Sequence, residues 1–210
     1  MPHHIYSWIS GFGLTLLPFA PFRVGQGETD PLSLDILYFA TGGEQFARVI
    51  ADGNGGFASK IDQNARSVYD VVEIRPGPAL PKWIIETSAF TCEWPMEYEL
   101  VSTDFPHEAA IINLLSSDQK QIFIQSSQHI LPLRQMPVRG QKIVSLDESS
   151  GSIELQYRYE NLLWYQRHQI VSFGVQALLV SCQSPNTLAA SVRAAAVSVA
   201  KSIILTQDER

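Results

Sequence analysis

The chain has 210 residues, of which 45% are hydrophobic and 17% charged, enough apolar material to bury a full core in one or two domains. A net charge of -6, with no run of Lys or Arg, argues against a nucleic-acid surface, which needs clustered cations, and disfavours an anionic membrane for the same reason. Two cysteines are too few for a disulfide scaffold and lack the paired CxxC spacing of zinc sites.

Residues 8–22, WISGFGLTLLPFAPF, are apolar enough to raise an export signal. Only His3 and His4 precede them and no small-x-small site follows, so the favoured reading is a strand and irregular segment packed on the fold, with a cytoplasmic location ahead of an exported one. The run is shorter than the roughly 20 residues of a spanning helix, and Pro18 and Pro21 break it.

From 30 to 74 the pattern is β. LSLDILYFA and EQFARVIA flank Thr41-Gly42-Gly43, and DGNGG at 52–56 supplies a second turn before GFASKI and SVYDVVEI. Asp52 and Asn54 resemble the start of a calcium loop, but its later oxygen ligands are missing, so they read as turn residues and no metal is expected. RPGPALP, 75–81, has three prolines in seven residues and is the best linker candidate, setting off a β-rich region 1–80, either a separate domain or an extension of the sheet, from a domain 81–210.

AFTCEW reads as a strand ending at Pro95, and EAAIINLLSS and KQIFIQSS as two strands joined around Asp118. SIELQYRYE, LLWYQRHQI and VQALLVSC suggest a three-strand antiparallel meander. A helix comes last: Ser184 can cap it with Pro185 at its first position, and Leu188, Val192, Ala195, Ala196, Val199 and Ile203 recur on one face. The fold class is therefore α+β, an antiparallel sheet covered by a C-terminal helix, with an N-terminal β-hairpin region.

A strand running from Phe90 to Pro95, a meander, a last apolar strand ending Gln183 to Pro185, and a helix finishing in Ser202-Ile203 together resemble the PsbP/DcrB-like superfamily over roughly residues 86–205. Tyr98 stands where many relatives have a tryptophan. The resemblance implies an α/β sandwich and a binding role, as in photosystem II extrinsic subunits, lipoproteins, nuclear-transport factors and adaptors that chaperone secretion effectors. It carries over no catalytic site and no cofactor.

Register decides what the meander can display. With Glu160-Asn161 as the first turn, Tyr159 faces Leu162 and Tyr157 faces Trp164, so Ile153, Leu155, Tyr157, Tyr159, Leu162, Trp164 and His168 share a face that reads as core. With the next loop at 171–174, Ile170 faces Val175 and Cys182 falls opposite Leu163, on the other side of the sheet from His168. Leu163 is five residues from His168, about 17 Å at roughly 3.4 Å per residue, which excludes a thiol–imidazole pair. Cys182 does sit at a strand-to-helix turn, where reactive thiols occur, yet the structural reading is preferred.

The opposite face sets Glu154 across from Arg167, Gln156 across from Tyr165 and Arg158 across from Leu163. Tyr165, Arg167, Arg158 and Glu154 are the candidate binding residues, because Tyr and Arg combine contact area with polar ends. The expected role is a non-catalytic protein-binding module or adaptor whose partner is another protein; the sequence leaves self-association open. The alternative is a hydrolase or transferase using Cys182 or Cys92 with a loop histidine, His107 or His129. Asp147-Glu148 and Glu97/Glu99 read as solvated carboxylates, and Trp83, Trp94 and Trp164 as anchors of a core or an interface.

Overall fold

The computed structural model describes residues 5–9, 12–16, 22–27, 30, 32–40, 43–52, 54, 56–61, 72–77, 80, 82–87, 89–102, 110–126, 131–173 and 176–205. The strands in chain order are β1 Ile5–Ile9, β2 Phe12–Leu16, β3 Phe22–Gln26, β4 Ser33–Ala40, β5 Gly43–Ala51, β6 Phe57–Ile61, β7 Val72–Pro76, β8 Ile84–Glu86, β9 Phe90–Glu93, β10 Tyr98–Val101, β11 Ala110–Ser116, β12 Gln121–Ser126, β13 Lys142–Asp147, β14 Ser152–Tyr159, β15 Leu162–Phe173, β16 Gln176–Pro185 and β17 Ile204–Leu205, with one helix, α1 Ala189–Ser202, before β17. Every described strand pairing is antiparallel. None of the described helices is long and apolar enough to cross a membrane.

The chain forms two compact units, one of Met1–Pro106 with Ser202–Arg210 and one of His107–Lys201. The division is not at the proline-rich stretch, because strands after it pair with strands before it: Ser7 of β1 with Ile85 of β8, and Val24 of β3 with Leu100 of β10. RPGPALP is thus a connection inside the first unit.

That unit holds the strands β17-β9-β8-β1-β2-β7 and the run β10-β3-β4-β5-β6. The β4–β5 hairpin forms as expected, with Ala40 opposite Gly43 and alternation that buries Leu34, Ile36, Tyr38, Ala47 and Val49. Burying each of the larger side chains contributes about 1.5–3 kcal/mol. On the other face the Arg48 Nη2 donates to Asp35 Oδ2 at 2.6 Å. The Asp52 carboxylate accepts from the amides of Asn54 at 2.7 Å and Gly56 at 2.9 Å, which is turn chemistry. Trp83 and Trp94 meet edge to face at 6.0 Å between ring centroids, both buried, and the Trp94 indole donates to the Tyr98 carbonyl at 2.7 Å.

The second unit orders its strands β13-β14-β15-β16-β12-β11. The turn around Asp118 joins β11 and β12, with Ser116 Oγ accepting the Lys120 amide at 3.0 Å. At the β14–β15 turn Glu160 and Asn161 have φ of 48° and 65°, the left-handed pair of a tight hairpin, and this fixes the register read from the sequence, Tyr157 opposite Trp164 and Glu154 opposite Arg167. The next hairpin is longer than expected. Phe173 pairs with Gln176, so β15 and β16 slip by four residues and Cys182 lies opposite Arg167 rather than Leu163.

β16 runs on to Pro185, and a 3-10 turn, Asn186–Leu188, precedes α1. Ser184 therefore does not cap the helix; its hydroxyl donates to the Pro185 carbonyl at 3.0 Å. The expected face is otherwise present, with Val192, Ala196, Val199 and Ala200 buried on α1 and Ile203 buried just after it. β13 was not anticipated from the sequence.

Candidate functional site

Two faces of the second unit's sheet compete as the site. The first carries Glu154, Gln156, Arg158, Tyr165 and Arg167, the surface expected to be open. It is covered instead. Tyr165 is 4% and Arg167 8% exposed, Arg193 of α1 reaches Glu154 at 3.4 Å, and Asn186 just before the helix accepts from Gln156 at 2.8 Å. Glu154 also faces Arg167 at 3.8 Å, and Arg167 donates to Gln169 at 2.8 Å. Of the four candidate binding residues only Arg158 is exposed. Tyr165, Arg167 and Glu154 belong to the helix–sheet contact, because a strand face with polar side chains is still apolar at its stems and α1 brings a cation for its carboxylate.

Cys182 lies on this covered face, 1% exposed, and burial pushes its thiol up to about 12. Cys92 is buried likewise in the first unit, its thiol also raised to about 12 by desolvation and then by Glu93. Both are free thiols. At neutral pH neither supplies the thiolate a nucleophile needs. His107 and His129 lie outside the described residues.

The opposite face has a different character. Its strand positions are Tyr157 and Tyr159 on β14, Leu162, Trp164, Gln166 and His168 on β15, Ser181 and Gln183 on β16, and Gln121 and Phe123 on β12. None is charged, in a chain with 36 charged residues counted as 15 basic plus 21 acidic. Trp164 stacks on Tyr157 at 6.4 Å and meets Tyr159 edge-on at 6.3 Å. Amides link the rows beside them: Tyr157 OH donates to Gln183 at 3.4 Å, Gln183 donates to Gln121, and Gln141 donates to Gln166 at 2.6 Å. Toward the β13 side Leu133 and Met136 pack over Ile153 and Leu155, so this end is core while the aromatic end is open. Tyr159 is 57% and Leu162 53% exposed.

One contact here escaped sequence reasoning. The slip of β16 brings Ser181 opposite His168, and Ser181 Oγ lies 2.8 Å from His168 Nδ1. Nucleophile and base make this kind of contact, but the pair stands mid-sheet, where backbone amides are tied into the ladder, and among the described residues no carboxylate is hydrogen-bonded to the imidazole. Burial holds the His168 ring down to about 4, which keeps it neutral and makes it a feeble base at pH 7.

The remaining candidates are structural. Asp147 accepts from Ser149 and Ser150 in its own turn, which lowers its carboxyl to about 2, and Glu148 pairs with Arg134 at 2.8 Å. That pair crosses an open cavity of 650 Å³ lined by Leu133, Gln135, Gly151, Ile170 and Ser172, and its opposite charges cancel there. Glu97 sits in a turn at φ 69°, and Glu99 faces Arg23 at 3.9 Å. Among the described residues no cluster of His, Cys, Asp and Glu could hold a metal. Compared with protein-family models, with characterised proteins and with solved structures, the chain matches none.

Proposed function

We propose that the chain is a non-catalytic protein-binding module, an adaptor of PsbP/DcrB-like type, that grips its partner through the aromatic end of the uncharged face. The observation that supports this reading is the pairing of exposed Tyr159 and Leu162 with the half-buried Tyr157 and Trp164 on strand positions free of charge. Interface cores are depleted in charge and enriched in Tyr and Trp, and amides already tied to one another present their spare donors and acceptors at little entropic cost. The neutral imidazole adds no charge to these strand positions at physiological pH, and the anion beside them is Glu160 of the β14–β15 turn, hydrogen-bonded to Tyr159.

A photo-crosslinking side chain placed at Tyr159 or Leu162 in the full chain, expressed in its native cell, should yield one defined protein adduct. The same group at exposed Ser198 on α1 should not. Equal adducts from all three positions, or none from the first two in a folded protein, would sink the assignment.

A further inference from the structure

Among the described strands β13 ends the order of its sheet, and five of its six residues are exposed, so no described strand covers its outer edge. Such an edge is a template for another strand, which proteins normally blunt with charge or with a bulge. β13 has both devices, Lys142 at its start and a bulge between Ile143 and Ser145. It also exposes Ile143 at 43% and Val144 at 50%, which blunting alone does not explain.

The sequence of β13 is Lys-Ile-Val-Ser-Leu-Asp, and read against itself in the antiparallel sense it is complementary. Lys142 falls opposite a second Asp147, Ile143 opposite Leu146, and Val144 opposite Ser145. Residues five apart on a regular strand point to opposite faces, which would forbid this pairing. The bulge removes the obstacle. Lys142 pairs with Gln156 and Asp147 with Ser152, four residues apart on β14, so both ends of β13 present the same face; Ile143 with Leu155 and Leu146 with Ile153 share the other. The turn at Ser149 and Ser150 holds the Asp147 carboxyl near 2, so the anion is fixed at one end of the edge.

We infer that a second copy of this chain docks edge to edge along β13, in antiparallel register about a two-fold axis between Val144 and Ser145. Each Lys142 meets the partner subunit's Asp147, twice per dimer, and the apolar pairs lie between. The pairing is isologous, so each copy uses its own edge and the assembly closes at two. The charges at the strand ends select this register over slipped ones, in which like charges or a charge and an isoleucine would meet. The inference does not depend on the proposed partner surface, which lies toward the other end of β14.

Sedimentation of the full chain over a wide concentration range should show a reversible monomer–dimer equilibrium. Lys142→Glu should raise the dimer Kd about tenfold, a loss of about 1.4 kcal/mol, while Lys142→Arg keeps it. Because Lys142 is exposed, neither change threatens the fold. Mixing Lys142→Cys with Asp147→Cys chains under mild oxidation should trap a mixed disulfide, whereas either variant alone should not, its thiols lying roughly 14 Å apart along the edge at about 3.4 Å for each of the four β14 positions spanned. A chain that stays monomeric throughout overturns the inference. So does a dimer that is indifferent to Lys142→Glu and gives no mixed disulfide.

Discussion

Arg167 lies directly across the β15–β16 ladder from Cys182, and its guanidinium is 3.8 Å from the Glu154 carboxylate beneath α1. That juxtaposition turns a face that reads as surface into the seat of the helix. Arg167→Ala would leave Glu154 facing Arg193 alone and open space under α1. Breaking a buried pair is costly, and at this separation about 2–3 kcal/mol is expected. Arg193→Ala removes a half-exposed partner and should cost under about 1 kcal/mol. Denaturant titration of both variants checks the contrast; equal losses would mean that Arg167 is not held under the helix.

Val192 is fully buried on α1. Val192→Asp puts an unpaired carboxylate into the helix–sheet contact and should cost several kcal/mol, enough to threaten a domain of ordinary stability. Thermal melting is the measurement, with Arg193→Ala as the neighbouring control, and similar shifts for the two would show the helix face to be misassigned.

Why one hairpin was legible and the next was not follows from their turns. Glu160-Asn161 is a polar break between two alternating runs, and Asn161 tolerates the left-handed conformation, so the two-residue loop and every cross-strand pair from Tyr159 to Ser152 could be read from sequence. The β15–β16 connection has no such pair, and the apolar run Ile170, Val171, Phe173 extends as readily as it turns. The slip was four residues, an even number, so Cys182 kept its predicted face while its partner changed and Ser181 arrived beside His168. The burial of Tyr165 and Arg167 was hidden for another reason. Alternation tells which side chains share a face but not which face a distant helix covers, and Leu133 with Met136 covers part of the other one too. β13 was missed because its bulge breaks the period of two that marks a strand.

His168 gives the fold an acid-sensitive window. Its folded value of about 4 lies below the unfolded 6.5, because burial penalises the charged ring. The unfolded chain therefore binds the extra proton first as pH falls. This contribution is complete above pH 6.5 and is lost progressively between 6.5 and 4, by roughly 3 kcal/mol at most. Asp147, lowered to about 2, acts only below that window. Stability measured from pH 7 to 4 should fall more steeply in the native chain than in His168→Gln. Parallel curves would mean the imidazole is not buried.

The Tyr165 hydroxyl is buried without a hydrogen-bonding partner among the described residues, and burial raises its phenol well above the usual value. Deleting only the hydroxyl, in Tyr165→Phe, should be neutral or stabilising by up to about 1 kcal/mol, since an unsatisfied buried group is removed and the ring stays. Tyr165→Ala should cost about 3 kcal/mol or more through the cavity left behind. A loss above about 1 kcal/mol in the phenylalanine variant would show that the hydroxyl is held by a group it needs.

Thiol chemistry gives the most direct test of the helix seat. Cys182 and Cys92 are both buried and both raised to about 12, so a thiol reagent at pH 7.5 should label neither until the chain opens. In the native protein labelling should follow global unfolding, with the two cysteines reacting together in denaturant. Arg167→Ala separates them. Loosening α1 over its own strand should expose Cys182 by local opening, at a free-energy cost below that of unfolding, while Cys92 in the other unit remains protected. Peptide mapping of the labelled sites under native conditions should then find Cys182 modified at least about tenfold faster than in the parent, equivalent to about 1.4 kcal/mol in the opening equilibrium, and Cys92 unchanged. Rapid labelling of Cys182 in the unaltered chain at neutral pH would contradict its burial and reopen the case for a reactive cysteine.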